Sequence, residues 1–287
     1  MTGTSFAEAA RTGITAPLGL ADTAAEHLPE RAGDYASGYT GLHTGPRRRP
    51  LGHVVTEALA AATGFTSTAT DLVTYFGAHA LGDERLLGDR TKRLQQRRAN
   101  DSDPAEASAG GYGWGMVTES VDGTTYVGHS GGYPGHITKT LLDPSTGLVI
   151  SVLTNATDGP ATPLARGIAQ LLAEARDPHA ERSTLSEATL SRTGRYAGEW
   201  GVLDLAALNG RLRALTLGGW APLEGADELV EDGPDRLRIS AGPGYGSVAE
   251  PVTFTDPGAT VTEMRYGGMS MRPAPELEEP DGYRLGG

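Results

Sequence analysis

Gly128-His129-Ser130-Gly131-Gly132 is the stretch on which the reading of this chain turns. It sits between two runs of β-forming residues, 124–127 before it and 137–142 after it. Its glycines remove side chains from a short length of backbone, as close approach by another backbone or a substrate requires. A strand leading in, no helical periodicity behind, and a second strand soon after predict a strand–loop–strand unit. Farther out, Asp143-Pro144-Ser145-Thr146-Gly147 separates 137–142 from a further β-type run at 148–153. Asp, Pro and Gly each favour turn geometry, so a hairpin is predicted there.

The flanks change period. Residues 66–81 carry Leu72, Val73, Phe76 and Ala80 at helical spacing, with Ser67 or Thr68 as a cap and Asp71 near the positive end of the helix dipole. Residues 161–175 predict another helix, with Pro163 in the first turn and Leu164, Ile168, Leu171 and Leu172 on one face. Residues 5–14 have helical composition, and Ala16-Pro17-Leu18-Gly19-Leu20 is expected to end that helix, since Pro cannot continue it. Residues 112–117 read as a strand. The first zone, 1–176, is therefore predicted to be α+β: helices on an antiparallel sheet.

From residue 191 to 273 the texture is different. Short runs at 194–198, 203–207, 211–216, 220–223, 229–230, 236–239, 251–255 and 261–265 are separated by Gly- or Asp-containing turns. That spacing suits a small all-β barrel or sandwich. Residues 177–190 read as a linker, and 274–287, rich in Pro, Gly and acidic residues, as a disordered tail.

Composition narrows the function. The chain has 287 residues, 38% of them hydrophobic and 21% charged, and a formal net charge of -12. Such an acidic chain is a poor match for nucleic acid or an anionic membrane. The basic cluster Arg47-Arg48-Arg49 lies between Pro46 and Pro50 and reads as a solvated loop, with an anion site as the sharper alternative. No cysteine is present, which removes disulfides, thiolate metal sites and a cysteine nucleophile. No apolar run reaches the roughly 20 residues of a membrane span. The first residues lack the basic and apolar regions of a signal peptide, though a lost N-terminus could have carried one, so localisation stays open. His, Asp and Glu are scattered rather than grouped as metal ligands, and no phosphate-binding glycine loop carries a following Lys and Ser or Thr. No cofactor is expected.

Two chemical readings of the 128–132 stretch remain. Gly128, Ser130 and Gly132 fit G-x-S-x-G, in which Ser130 would be a nucleophile on a strained turn between strand and helix. That mechanism needs a helix after the serine, and none is predicted. The second reading is a resemblance. His129-Ser130-Gly131 resembles the H-x-G form of the third motif of β-lactamase-like serine hydrolases, the group that includes class C β-lactamases, D-Ala-D-Ala peptidases and related esterases. Four more segments resemble the same family in the same order: Ala16–Thr23 its PLGMxDT segment, Gly64–Leu72 its GGLxSTAxDL helix start, Gly111–Gly115 its GYGWG strand, and Leu142–Asn155 its DPxxGLxVVVLTN hairpin. Tyr196-Ala197-Gly198-Glu199-Trp200 is similar to the YxGxY opening of a lipocalin-like β domain often appended to these hydrolases.

The resemblance implies an edge strand at His129–Gly131 that binds substrate, with the Gly132 N–H donating to the oxyanion. It implies that His129 lines the pocket, and it places Tyr133 and His136 near the rim. It also implies two motifs that this sequence lacks. No serine has a lysine three residues later, and Y-x-N does not occur. The chain is thus expected to be the C-terminal part of such a hydrolase, 1–176, followed by a lipocalin-like barrel, 191–273. The full-length parent would hydrolyse an amide or ester of a small-molecule or peptide-like substrate through an acyl-serine. This chain alone would be inactive, a pseudoenzyme or binding module being the alternative. Its oligomeric state is not readable.

Overall fold

A run of β-forming residues begins at Thr124, and the backbone stays extended for ten residues, to Tyr133. The structure is a computed structural model that describes residues 3–97, 111–177, 184–216, 221–234, 236–256 and 260–274. Two compact units divide the chain, residues 1–169 and 170–287. Among the described residues no helix is long and apolar enough to cross a membrane.

The first unit carries a helical stretch of α1 (Phe6–Ala10), a π-helical turn at Arg11–Thr15, and α2 (Ala16–Leu18). The helix ends within the expected Ala16–Leu20 segment, but Pro17 is not what ends it. Pro17 lies in the first turn of α2, where its missing N–H costs little, and the stop comes instead at Gly19 with φ +66°. A small ladder, β1 (Gly38–Tyr39) and β2 (Pro50–Leu51), follows. Helix α3 (Ala69–Gly77) is capped by Thr68, whose hydroxyl accepts the Asp71 N–H at 3.2 Å. Asp71 in turn accepts Asp22 N–H at 2.9 Å and the Thr23 hydroxyl at 2.8 Å. That one carboxylate ties the 16–23 segment to the start of α3.

After α4 (Asp89–Gln96) comes a five-stranded antiparallel sheet in chain order: β3 (Gly111–Tyr112), β4 (Val117–Val121), β5 (Thr124–Tyr133), β6 (His136–Leu142) and β7 (Val149–Thr154). The strand expected at 112–117 is broken, because Gly113–Met116 form a turn in which Gly113 N–H meets the Met116 carbonyl at 2.7 Å. The hairpin expected at 143–147 joins β6 to β7. Asp143 takes the Ser145 N–H at 2.8 Å and the Thr146 hydroxyl at 2.7 Å, and Gly147 supplies φ +75°. On one face Val127, Met116 and Leu142 pack with Phe76 of α3. The other face carries Glu119 and Lys139, and Arg166 of α5 (Ala161–Arg176) reaches it.

Helix α5 corrects another expectation. Its buried side is Ala161, Ala165, Gly167 and Ala169, while Leu164 and Ile168 stay 37% and 39% exposed. From the same helix Arg166 donates to the buried Glu119 at 2.9 Å. The last turns of α5 belong with the second unit: Glu174 binds Arg211 and Arg213, and its carbonyl accepts from Asn209.

In the second unit α6 (Glu187–Ser191) leads into a closed eight-stranded antiparallel barrel. Its strands are β8 (Gly194–Gly198), β9 (Gly201–Leu208), β10 (Arg211–Thr216), β11 (Asp227–Glu231), β12 (Arg236–Ala241), β13 (Pro251–Thr255), β14 (Glu263–Tyr266) and β15 (Met269–Pro273). The fold is α+β with an antiparallel sheet, followed by a small barrel of the kind a lipocalin-like domain requires. The run expected from 220 to 223 is not a strand where it is described: Pro222–Gly225 form turns, and Pro222 has no N–H for a ladder. Of the expected linker, 177–190, residues 178–183 lie outside the described residues and 187–190 fall in α6; of the expected tail, 274–287, residues from 275 onward lie outside them.

Candidate active site

Strand β5 passes through the glycine-rich stretch without interruption. Gly128 pairs with Val117 of β4 on one side and with Leu141 of β6 on the other. Beyond it β4 has ended, and among the described residues β6 is the strand that pairs with His129, Ser130, Gly131, Gly132 and Tyr133. The edge strand expected at His129–Gly131 therefore falls where the pairing places an edge: β5 has neighbours on both sides at Val127 and Gly128 and is bordered by β6 alone over its last five described residues. The cause is the turn at Gly113–Met116, which stops β4 short. No helix follows Ser130, which sits in mid-strand opposite Lys139. The structure therefore rules out the nucleophile-elbow reading of Ser130.

The pairing register fixes where backbone groups point. Pro134 and Gly135 form a two-residue turn, so Tyr133 and His136 close the hairpin as a hydrogen-bonded pair. Alternation then directs the N–H of Gly132 away from β6, toward the side where β4 is missing. A Cβ added at Gly132 would meet only the Ile137 side chain, at 3.9 Å. The hairpin tip is braced from outside. A Cβ at Gly135, whose φ is +85°, would stand 2.6 Å from Gly38 backbone. Tyr133 and His136, expected at the rim, are taken up by neighbouring segments. The Tyr133 hydroxyl accepts Val54 N–H at 2.5 Å and lies 2.8 Å from His53 Nδ1, while His136 Nε2 meets the Ala36 carbonyl at 3.2 Å.

His129 is half-buried and has both ring nitrogens engaged. Nδ1 lies against the carbonyl oxygen of Ser130. A carbonyl can only accept, so in the neutral ring Nδ1 carries the hydrogen. Nε2 is then the acceptor, and the Tyr112 hydroxyl 3.2 Å away donates to it. The two rings meet edge to face at 5.7 Å. Tyr112 stands 17 positions upstream, and no sequence pattern links it to His129. We expect nitrogen NMR of the neutral His129 ring to show the Nδ1–H tautomer, and Tyr112→Phe to shift the Nε2 resonance while leaving the fold intact. A dominant Nε2–H form in the unsubstituted protein would contradict this geometry.

Both lysines are committed elsewhere. Lys92 is fully buried and donates to the carbonyls of Ala80, at 2.6 Å, and Asp83. Lys139, across from Ser130, is buried in an ion pair with Glu119, which Arg166 also binds at 2.6 Å. Burial raises the Glu119 pKa, but Lys139 and then Arg166 outweigh it and hold the carboxyl below its usual value. A lysine buried against such a partner is not placed to take a proton from a serine. Of the arginine cluster, Arg48 is paired with Asp158 and donates to the Thr40 carbonyl at 3.0 Å. Among the described residues no group of three or more His, Asp or Glu side chains could hold a metal ion.

Comparisons with known proteins now bear on this geometry. A family model described as Beta-lactamase matches residues 1–175. Among solved structures the chain is similar to the octameric penicillin-binding protein homologue from Pyrococcus abyssi, with a TM-score of 0.51 and 19% identity over 94% of this chain and 60% of that one. SurE gives a TM-score of 0.45 and 21% identity over 95% and 64%. A D-stereospecific amidohydrolase from Streptomyces sp. gives 0.46 and 23% over 54% and 45%. At these identities the first likeness shows fold alone, and the other two fall too low to carry an argument. The chain spans less than two thirds of the length of each. No curated protein matches it.

Proposed function

Because the chain belongs to the Beta-lactamase family over residues 1–175, we propose that it provides the substrate-binding edge of a serine hydrolase that cleaves an amide or ester through an acyl-serine. The observation that supports this reading is the edge of β5 around Gly132, where among the described residues β6 is the one strand paired with it. An extended substrate can lie along that edge, with its carbonyl oxygen at the N–H of Gly132. Gly131 and Gly132 let the two backbones approach closely. His129 in its neutral form offers no free N–H, since Nδ1–H is given to Ser130. A substrate carboxylate would therefore be held by the imidazolium, after the Tyr112 hydroxyl turns away from Nε2.

The proposal has a second part: residues 1–287 by themselves form no acyl-enzyme. S-x-x-K and Y-x-N are absent from this sequence, and Lys92 and Lys139 each hold other partners. Incubation with a fluorescent penicillin and a fluorophosphonate, followed by a denaturing gel, should leave no labelled band. A band mapped to a serine would overturn this part. Labelling at Ser130 in particular would show a nucleophile working from mid-strand.

A further inference from the structure

The barrel interior is filled with side chains. Leu205, Leu212, Leu237, Ile239, Val252 and Met264 are each no more than 2% exposed and pack into one core. At one mouth, however, lies a recess of about 230 Å³, lined in part by Glu199, Trp200, Val202, Tyr245, Met269 and Met271. Trp200 is 73% exposed and Tyr245 is 61% exposed. Two large aromatic side chains left in water beside one recess are an unusual arrangement, since each forgoes a substantial hydrophobic gain.

Both aromatics are carried on constrained backbone. Trp200 sits in the tight turn between Gly198 and Gly201, which pair with each other. Gly201 has φ +141°, and a Cβ at Gly198 would stand 2.8 Å from the Ser270 carbonyl oxygen. Tyr245 is held differently. Asp227 is completely buried at the start of β11. Its carboxylate accepts Gly244 N–H at 2.7 Å and Gly246 N–H at 3.4 Å, on either side of Tyr245, and also the Tyr266 hydroxyl. Burying a carboxylate is unfavourable unless it is well bonded. Here its bonds fix a surface loop whose conspicuous feature is an exposed tyrosine. A loop with only a structural role could be fixed by apolar contacts; a loop that must present a ring in one place has use for directional bonds.

The chemistry of the lining selects a ligand class. The floor is methionine, which is soft and adaptable. The walls are aromatic, with negative faces that attract cations. Among the described lining residues Glu199 is the one charged group, and it is an anion. The chain as a whole carries -12, which draws cations and repels anions. The volume is below the roughly 300–1,000 Å³ of pockets for larger ligands, so the occupant is of fragment size. We propose that this recess binds a small organic amine, its apolar body on Met269 and Met271 and its ammonium group held by the aromatic faces and Glu199.

Three probes of one size separate the contributions: phenethylamine as the cation, benzyl alcohol as the neutral form and phenylacetate as the anion. Each is titrated into the full chain while the methionine methyl signals are followed by NMR. Phenethylamine should move the Met269 and Met271 methyls and bind about tenfold more tightly than phenylacetate. Trp200→Ala should weaken phenethylamine about tenfold. Glu199→Gln should reduce the preference for cation over neutral probe while sparing benzyl alcohol. Both positions are at the surface, and an unchanged melting curve confirms that the variants fold. Equal binding of cation and anion, unchanged affinity in Trp200→Ala, or no response of those methyls to any probe would overturn the proposal. The last result would instead mark the aromatic pair as a protein contact.

Discussion

Glu119→Ala should destabilise the first unit by about 3–5 kcal/mol, the cost of leaving a buried charge without its partner. Lys139 and Glu119 are almost fully buried, on adjacent parts of one sheet face. Arg166 adds a second cation from α5, but its side chain is 42% exposed and can return to water when the carboxylate is removed. Lys139 cannot. On a unit of this size the loss corresponds to a drop in melting temperature on the order of 10 °C. Replacing both partners by apolar residues, Glu119→Leu with Lys139→Met, should recover most of the loss, because the desolvation cost of the pair goes with the pair. The pH dependence carries a sign. Glu119 titrates below its unfolded value, so its contribution is complete above that value and is lost as pH falls through the folded one. Unfolding curves in mild acid should steepen this loss for the unsubstituted protein and not for the double variant. A single variant that melts with the parent would show that Lys139 finds water or another acceptor.

That ion pair also shows where sequence reading stops. Strand β4 is Val-Thr-Glu-Ser-Val, polar at its centre, and was not legible as a core strand. Glu119 is tolerated inside because Lys139, 20 positions later, arrives opposite it, and nothing local announces that meeting. Strand β15, Met-Ser-Met-Arg-Pro, was missed for a related reason: it lacks β-branched residues, and barrel closure against β8 supplies what propensity does not. The inward face of α5 is not legible from hydrophobic periodicity, which points to leucine and isoleucine, whereas the helix buries its alanine stripe.

What the sequence did disclose rested on strong local chemistry. The Asp143–Gly147 turn, the Thr68 cap and the β-forming run that opens β5 each depend on residues within a few positions of one another. The candidate site divides along the same line. His129 to Gly132 could be singled out because glycine removes side chains and the family resemblance fixed their order. The Tyr112 hydroxyl on His129, and the halt of β4 that turns half of β5 into an edge, come from tertiary placement.

The glycines of this stretch are not equivalent, and the difference can be measured. A Cβ at Gly128 would collide with the Thr140 carbonyl oxygen and come within 3.3 Å of the Leu141 Cα. Both obstacles are backbone of a paired strand, which cannot rotate aside as a side chain can. Gly128→Ala should therefore force β5 and β6 apart one residue before His129, at about 3 kcal/mol, the upper end of overpacking costs. The damage should spread to the Nδ1–H bond of His129, because the Ser130 carbonyl that receives it is carried on the displaced strand. Gly132→Ala meets only a side-chain carbon at 3.9 Å, and Gly132 has no positive φ, so its stability should match the parent. If the open edge of β5 receives substrate, the same methyl would stand beside the ligand and weaken binding in any assembly that turns over. Chemical denaturation of the two variants, with the ring nitrogen signals of His129 as a local probe, separates these effects. Gly128→Ala should lower the midpoint and shift His129, and Gly132→Ala should do neither. Equal stability of the two variants would mean that β6 yields at Thr140, and that the glycine before the motif does not hold the site in register.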